Sequence, residues 1–308
     1  MTWIAASLVV CATMGVVSVA DSYLLTRRMP SLWAFFIPVG LFHLGFGLLF
    51  LWLYPLPSGV PVFTWFIVGV GAVMRLVSAV LMLYAMRSEE VSRVTPVVNT
   101  YPVFVAILAV PLLGEVLNSL QWLAVLMTVA GAVLVSTKGW GRGRRVRLRG
   151  SFLVLIASSL LAGGTNIATK YALGDLSFWN VYSTMSIFFG AALFLMALRP
   201  SVLRELRDMN GRRGALSLIV FTEIIALGGI LLSFWAMEEG PISLVSTVMG
   251  ARPLFVFLYA LVLSRALPGL LDEKMTRGVV ALKFVSIALI LGGVAIVNVV
   301  GPSAALGG

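Results

Sequence analysis

Cysteine and histidine are almost missing from this chain: it has one of each, Cys11 and His43. One cysteine excludes an internal disulfide framework and any cysteine-based metal site. With a single histidine there is also no catalytic dyad or metal cluster to assemble from these residue types, so an enzyme is not expected and no cofactor is called for. No G-x-x-x-x-G-K-[ST] sequence is present to cradle a nucleotide phosphate, which argues against an ATP-driven pump. Charge is scarce as well. Only 11% of the residues are charged and 60% are hydrophobic, whereas soluble domains carry about a quarter charged residues. A folded soluble domain needs a polar exterior, and a bilayer removes that need. The intramembrane acids are too few for an ion-threaded channel.

What is present is a series of long apolar stretches. A helix crosses the hydrocarbon with about 20 mostly apolar residues. Spans are expected near 2–24, 31–53, 61–86, 92–112, 118–137, 151–173, 177–197, 214–237, 241–264 and 277–300. The fold class predicted is therefore all-α integral membrane, with ten transmembrane helices. Continuous apolar runs of this length exclude a β-barrel, whose strands alternate over about ten residues. Met1-Thr2-Trp3-Ile4 supplies no basic region ahead of the apolar core, so the first segment is expected to remain and span rather than be cleaved as a signal peptide.

The net charge of +10 resides in the breaks. Of the 22 Lys and Arg residues, all but Arg75, Lys170, Arg252 and Lys283 fall in or beside the segments 27–30, 87–93, 138–150, 199–213 and 265–277. These are alternate loops. The positive-inside rule places them in the cytoplasm and both termini outside. The densest basic block, Lys138–Arg149, reads as a topology signal that touches acidic lipid headgroups, not as a nucleic-acid site.

The chain also repeats itself. Ala85-Met86 through Pro102-Val103-Phe104-Val105 aligns without a gap, at an offset of 151, on Ala236-Met237 through Pro253-Leu254-Phe255-Val256. At an offset of 148, Gly15, Ala20 and Tyr23 fall on Gly163, Ala168 and Tyr171. Two units of five helices, an odd number, must run in opposite directions through the membrane. The expected organisation is a first repeat at 1–137, a basic linker at 138–150 and a second, inverted repeat at 151–308, an arrangement used by many secondary transporters.

Charges inside spans cost about 2.5–3.5 kcal/mol each at the helix centre, so they are expected to face a watery or paired interior. Arg75, Glu223 and Arg252 are such residues, with Lys170 near the far end of its span. Glu223 paired with an arginine as a plain structural lock is the competing reading. Lys283 lies close enough to an end to snorkel. Asp21 is expected at the interface beside Arg27 or Arg28, and His43 as a packed, hydrogen-bonded residue. Ser159, Gly163, Asn166 and Lys170 share one helical face, and Cys11, Gly15, Ser18 and Ser22 the matching face of the first helix. The fourth and ninth spans are both interrupted, by Pro96 and Pro102 around Asn99, and by Gly250 and Pro253 around Arg252. Paired interruptions at corresponding positions point to a transporter site. The expected substrate-binding residues are Arg252, Tyr101, Asn99, Arg75, Lys170 and Asn166, with Glu223 as the proton-coupling candidate and no metal site.

The segments Thr95-Pro96, Pro102-Val103-Phe104 and Leu113-Gly114-Glu115, with Gly131-Ala132-Val133-Leu134 and Gly292-Gly293-Val294-Ala295, resemble the drug/metabolite transporter superfamily and specifically its EamA-type ten-helix members. The second half departs from the pattern, with Ser264-Arg265-Ala266 in place of the Gly-Glu pair. The resemblance implies a cavity between helices 1–4 and 6–9, peripheral helices 5 and 10, and alternating access by rocking of the halves. Similar members usually have cytoplasmic termini, opposite to what these loop charges predict. The function expected is secondary transport of a small anionic or zwitterionic metabolite. A lipid or lipid-linked-sugar flippase and a non-transporting membrane scaffold or sensor are the alternatives. Expected partners are that solute and membrane lipids, in a monomer or homodimer.

Overall fold

The structure, a computed structural model, describes residues 2–88, 91–136, 148–266 and 277–300. The basic run from Lys138 to Arg147, the Pro268–Lys274 stretch and the side chain of Lys283 lie outside the described residues.

Among the described residues the secondary structure is helical throughout. The helices are α1 (Trp3–Tyr23), α2 (Leu32–Leu53), α3 (Val62–Ser88), α4 (Val91–Val98), α5 (Tyr101–Leu113), α6 (Ser119–Ser136), α7 (Leu148–Ala172), α8 (Phe178–Ala197), α9 (Pro200–Asp208), α10 (Arg212–Glu239), α11 (Ile242–Met249), α12 (Arg252–Ala266) and α13 (Arg277–Val300). A π-helical turn, Leu24–Arg28, extends α1. Eight segments are long and apolar enough to cross a membrane, and two shorter apolar helices, Ser119–Leu134 and Val285–Val300, accompany them. The protein is thus a multi-pass, all-helical membrane protein. Its outer face carries the side chains expected against lipid: Phe66 and Phe221, both within helices, are 63% and 59% exposed.

Local chemistry fixes the helix starts. Thr2, Ser31 and Ser177 each accept a hydrogen bond from the backbone N–H three residues on, which satisfies a donor that the first turn leaves free. The short α9, in a segment expected only as a loop, begins at Pro200, whose fixed φ suits a first helical position.

Glycine sets the closest helix contacts. α2 lies along α8, and a Cβ on Gly190 would stand 2.4 Å from the backbone nitrogen of Leu44 and 2.6 Å from the carbonyl of Gly40. α6 lies along α13 in the same manner: a Cβ on Gly131 would sit 2.7 Å from the carbonyl of Ser286. Without side chains in the way, helix backbones reach the van der Waals contact that drives association in lipid. α3 and α7 are joined by a mutual clasp, Ser78 Oγ donating to the Ser158 carbonyl and Ser158 Oγ to that of Ser78, at 2.8 and 2.9 Å.

The remaining large contacts come in exchanged pairs. α1 packs on α10 and α12, while α3 and α5 pack on α7. Gly15 of α1 receives Phe255 of α12, with 3.0 Å between their Cβ positions; Gly163 of α7 receives Phe104 of α5 at 3.1 Å. The small-residue faces of α1 and α7 are therefore the surfaces on which the interrupted helices rest.

Candidate functional site

Both expected interruptions are present. α4 stops at Val98 and α5 starts at Tyr101-Pro102; α11 stops at Met249 and α12 starts at Arg252-Pro253. A proline in the first helical turn lacks only a donor that would be unpaired in any case. At the first break two side chains bond back onto their own segment. Asn99 donates from its side-chain amide to the Thr95 carbonyl at 2.6 Å, and Thr100 donates to that of Val97 at 2.8 Å. The break is linked outward by Thr100 Oγ1 with Ser159 Oγ of α7, at 2.9 Å. At the second break the partners come from α1. Cys11 Sγ lies 3.3 Å from the carbonyls of both Val248 and Met249. Arg252 donates to Ser18 Oγ at 2.6 Å.

Arg252 opens α12 at the centre of the protein, and its Nε is buried without a hydrogen-bond partner. Tyr101, which opens α5 at the corresponding place in the first half, lies within electrostatic reach of it. Asp21 does too, and one oxygen of the Asp21 carboxylate, Oδ1, is likewise buried and unpartnered. Asp21 was expected to pair with Arg27 or Arg28; it instead turns inward, toward Arg252. The sequence held the signal, since Asp21 follows Ser18 by three residues and so shares the inward face of α1.

A second group adjoins the first. Glu223 of α10 lies 3.4 Å from His43 Nε2 of α2, both side chains buried. This is the closest acid–base contact among the described residues, and it is with a histidine, not with the arginine of the competing lock reading. Arg75 of α3 stacks over the Phe189 ring, 4.9 Å from its centroid, and His43 meets the same ring edge-on at 4.9 Å. Stacking on a ring face holds a guanidinium without a carboxylate, and Arg75 Nη1 has no hydrogen-bond partner. Glu223 is within electrostatic reach of both Arg75 and Asp21. Two cations, Arg75 and Arg252, thus face two acids, Asp21 and Glu223. The net positive lining anticipated from Arg75, Lys170 and Arg252 is not what the interior presents.

Lys170 is the reason for part of that difference. Its ammonium donates to the carbonyls of Met237, Glu238 and Gly240, at 2.6, 3.3 and 3.0 Å. It therefore occupies the last turn of α10, where carbonyls lack intrahelical donors. Asn166, one turn deeper, is half-buried on the face that receives α5, and Asn99 is buried. Arg252, Tyr101 and Arg75 stand with the central charges, Asn99 at the first break, and Lys170 at the end of the bundle.

One residue stands out that the expected site did not include. Gly114, at φ 68°, ends α5 in a left-handed turn, a backbone shape that glycine adopts without steric cost. The turn delivers Glu115 to the start of α11. There its carboxylate accepts from the backbone N–H groups of Ile242 and Ser243, at 2.5 and 3.1 Å, and from Ser243 Oγ.

Comparison with known proteins agrees with this architecture. Residues 1–137 match the EamA-like transporter family, part of the drug/metabolite transporter superfamily. Among solved structures, one described only as "Crystal structure of protein" superposes with a TM-score of 0.63, covering 98% of this chain and 96% of its own at 18% identity. At that identity it speaks for the fold alone. No curated protein matches the chain.

Proposed function

We propose, from an EamA-like first half and a charged interior at the broken helices, that this protein is a secondary transporter of a small organic solute. It works by alternating access between two inverted five-helix repeats, residues 1–137 and 151–308, joined by the basic linker 138–150. α6 and α13 are the fifth and tenth spans of that scheme. The exchanged contacts support it: Gly15 with Phe255 and Gly163 with Phe104 repeat one packing arrangement with the halves interchanged. The loop charges support cytoplasmic placement of the segments they occupy, and residues from three of them meet at one end. Arg28 donates to the Gly211 carbonyl, Arg87 to that of Pro30, and Arg199 lies over Trp33. A C-terminal tag open to protease in intact cells is the expected result; a protected tag removes this orientation.

The observation that carries the substrate reading is Arg252: a half-buried guanidinium at a helix break, its Nε buried and unpartnered, within electrostatic reach of Tyr101 and Asp21. A guanidinium offers a paired-donor fork to a carboxylate or phosphate. Because Asp21 and Glu223 balance Arg252 and Arg75, the favoured solute moves from a plain anion toward a zwitterion, whose cationic group the acids receive. Tyr101, Asn99 and Asn166 orient it, and Arg75 completes the positive side. Glu223, in contact with His43, is the candidate for proton coupling. The test is a thermal-shift screen of carboxylates, amino acids and phosphorylated metabolites on purified protein. Stabilisation by a water-soluble solute, lost in Arg252→Ala, is expected. Stabilisation by lipid headgroups alone, or by nothing, defeats the reading, and solute uptake into proteoliposomes unimpaired by Arg252→Ala removes the clamp.

A further inference from the structure

All eight residues of α11, Ile242–Met249, are buried. A helix with no exposed side is packed on every face. Its two ends are held very differently. At the C-terminal end a two-residue break, Gly250-Ala251, joins it to α12, so the chain has a natural hinge there. Its N-terminal end follows Pro241, which supplies no side-chain cap. The first turn of a helix has free N–H donors that must find partners when buried. Here those partners are the oxygens of one residue, Glu115, which takes two backbone N–H groups and the Ser243 hydroxyl. Bonds to an ionised carboxylate are stronger than neutral ones, and a negative charge at a helix N-terminus is favourable.

The surrounding contacts make this grip the removable one. The preceding turn is anchored separately: Lys170 holds the last carbonyls of α10, and Gly240 is wedged against Trp3, with 2.9 Å from a built Cβ to that ring. Glu115 itself belongs to the other half of the chain, on the short connection after α5. The grip also has no sequence counterpart at the opposite end, where Ser264-Arg265-Ala266 stands in the place of Leu113-Gly114-Glu115.

We infer that Glu115 is a latch, and that α11 is the gate it holds shut at the end of the bundle away from the basic loops. Released from Glu115, α11 swings on its Gly250-Ala251 hinge and unseats the carbonyls that Cys11 contacts. The role as a gate rests on the transport reading; the latch is tested without any solute. Cys11 is the only cysteine in the chain, is 1% exposed, and touches the far end of α11. It is a built-in reporter.

The experiment measures the rate at which a membrane-impermeant maleimide labels the full-length protein in proteoliposomes, with Cys11→Ala as the blank. Glu115→Gln is expected to label at least tenfold faster than the native chain, and Ser243→Ala at an intermediate rate. Thr64→Val, which removes the Thr64–Asp175 hydrogen bond between the halves but touches nothing on α11, is expected to label at the native rate. A monodisperse Glu115→Gln protein that labels at the native rate overturns the latch. Equal acceleration by Thr64→Val also overturns it, because the grip would then be one contact among many. If Glu115→Gln does not yield folded protein, Ser243→Ala decides, since both backbone bonds to Glu115 remain: native-rate labelling there overturns the proposal. Accelerated labelling in a protein that moves no solute leaves the latch standing and defeats transport instead.

Discussion

The two broken helices share a sequence pattern and differ in who supports them. In α4–α5 Asn99 and Thr100 turn back onto carbonyls of their own segment, with Thr100 also reaching Ser159 of α7. In α11–α12 the backbone N–H groups of Gly250 and Ala251 are also met within the chain segment, but side chains of the other half add to them: Glu115 at the start, Cys11 at the break and Ser18 on Arg252. A joint that satisfies itself keeps its shape when its surroundings move. A joint satisfied by the opposite half changes whenever the halves do. The two breaks thus differ in how much they borrow, and the charged residue Arg252 is on the one that borrows more.

Five substitutions sharpen or break this contrast, read as thermal or denaturant stability of purified protein. Glu115→Ala strands two buried N–H donors and a hydroxyl. At about 1–3 kcal/mol per stranded group, the expected loss is about 3 kcal/mol or more. Lys170→Met frees the carbonyls that end α10 and is expected to cost about 2 kcal/mol, given typical values for bonds to a charged group at a partly exposed site. Gly15→Ala pushes a methyl to 3.0 Å from Phe255 Cβ and 3.1 Å from Tyr259. Overpacking outweighs the better helix propensity of alanine there, for a net loss of about 1 kcal/mol. Gly163→Ala, with a single close neighbour, Phe104 Cβ at 3.1 Å, is expected to be milder, so the pair measures how unequal the two seats are. Asn99→Ala is the smallest, at about 0.5–1 kcal/mol, because one local hydrogen bond is lost and no distant group is stranded. An Asn99→Ala loss equal to that of Glu115→Ala would erase the distinction between a self-supported and a borrowed joint.

Eight of the ten expected spans and both interruptions were legible in the chain because they follow from local rules: apolar length, proline and glycine placement. The helix faces were legible from periodicity, which correctly grouped Cys11, Gly15 and Ser18, and Ser159 with Gly163. Periodicity says which residues share a face, and nothing about what that face meets. That is why Lys170 read as a cavity lining when it holds the end of α10, and why the sequence did not show that α2 brings His43 to Glu223. Asp21 misled for a different reason: nearness in sequence to Arg27 and Arg28 outweighed its spacing from Ser18. Glu115 was invisible as a contact, because its role depends on the end of α5 meeting the start of α11, 127 residues away.

The glycine seams have one more consequence, for the lipids around the protein. Along α2–α8 and α6–α13 the backbones touch, with Gly190 set on Gly40 and Gly293 on the Ala124 carbonyl. No acyl chain fits through a joint closed at that distance, so these two walls are leak-tight to the bilayer. Any sideways traffic of hydrocarbon into the interior has to enter along the other helix pairs, and spin-labelled lipid chains should be absent from both seams.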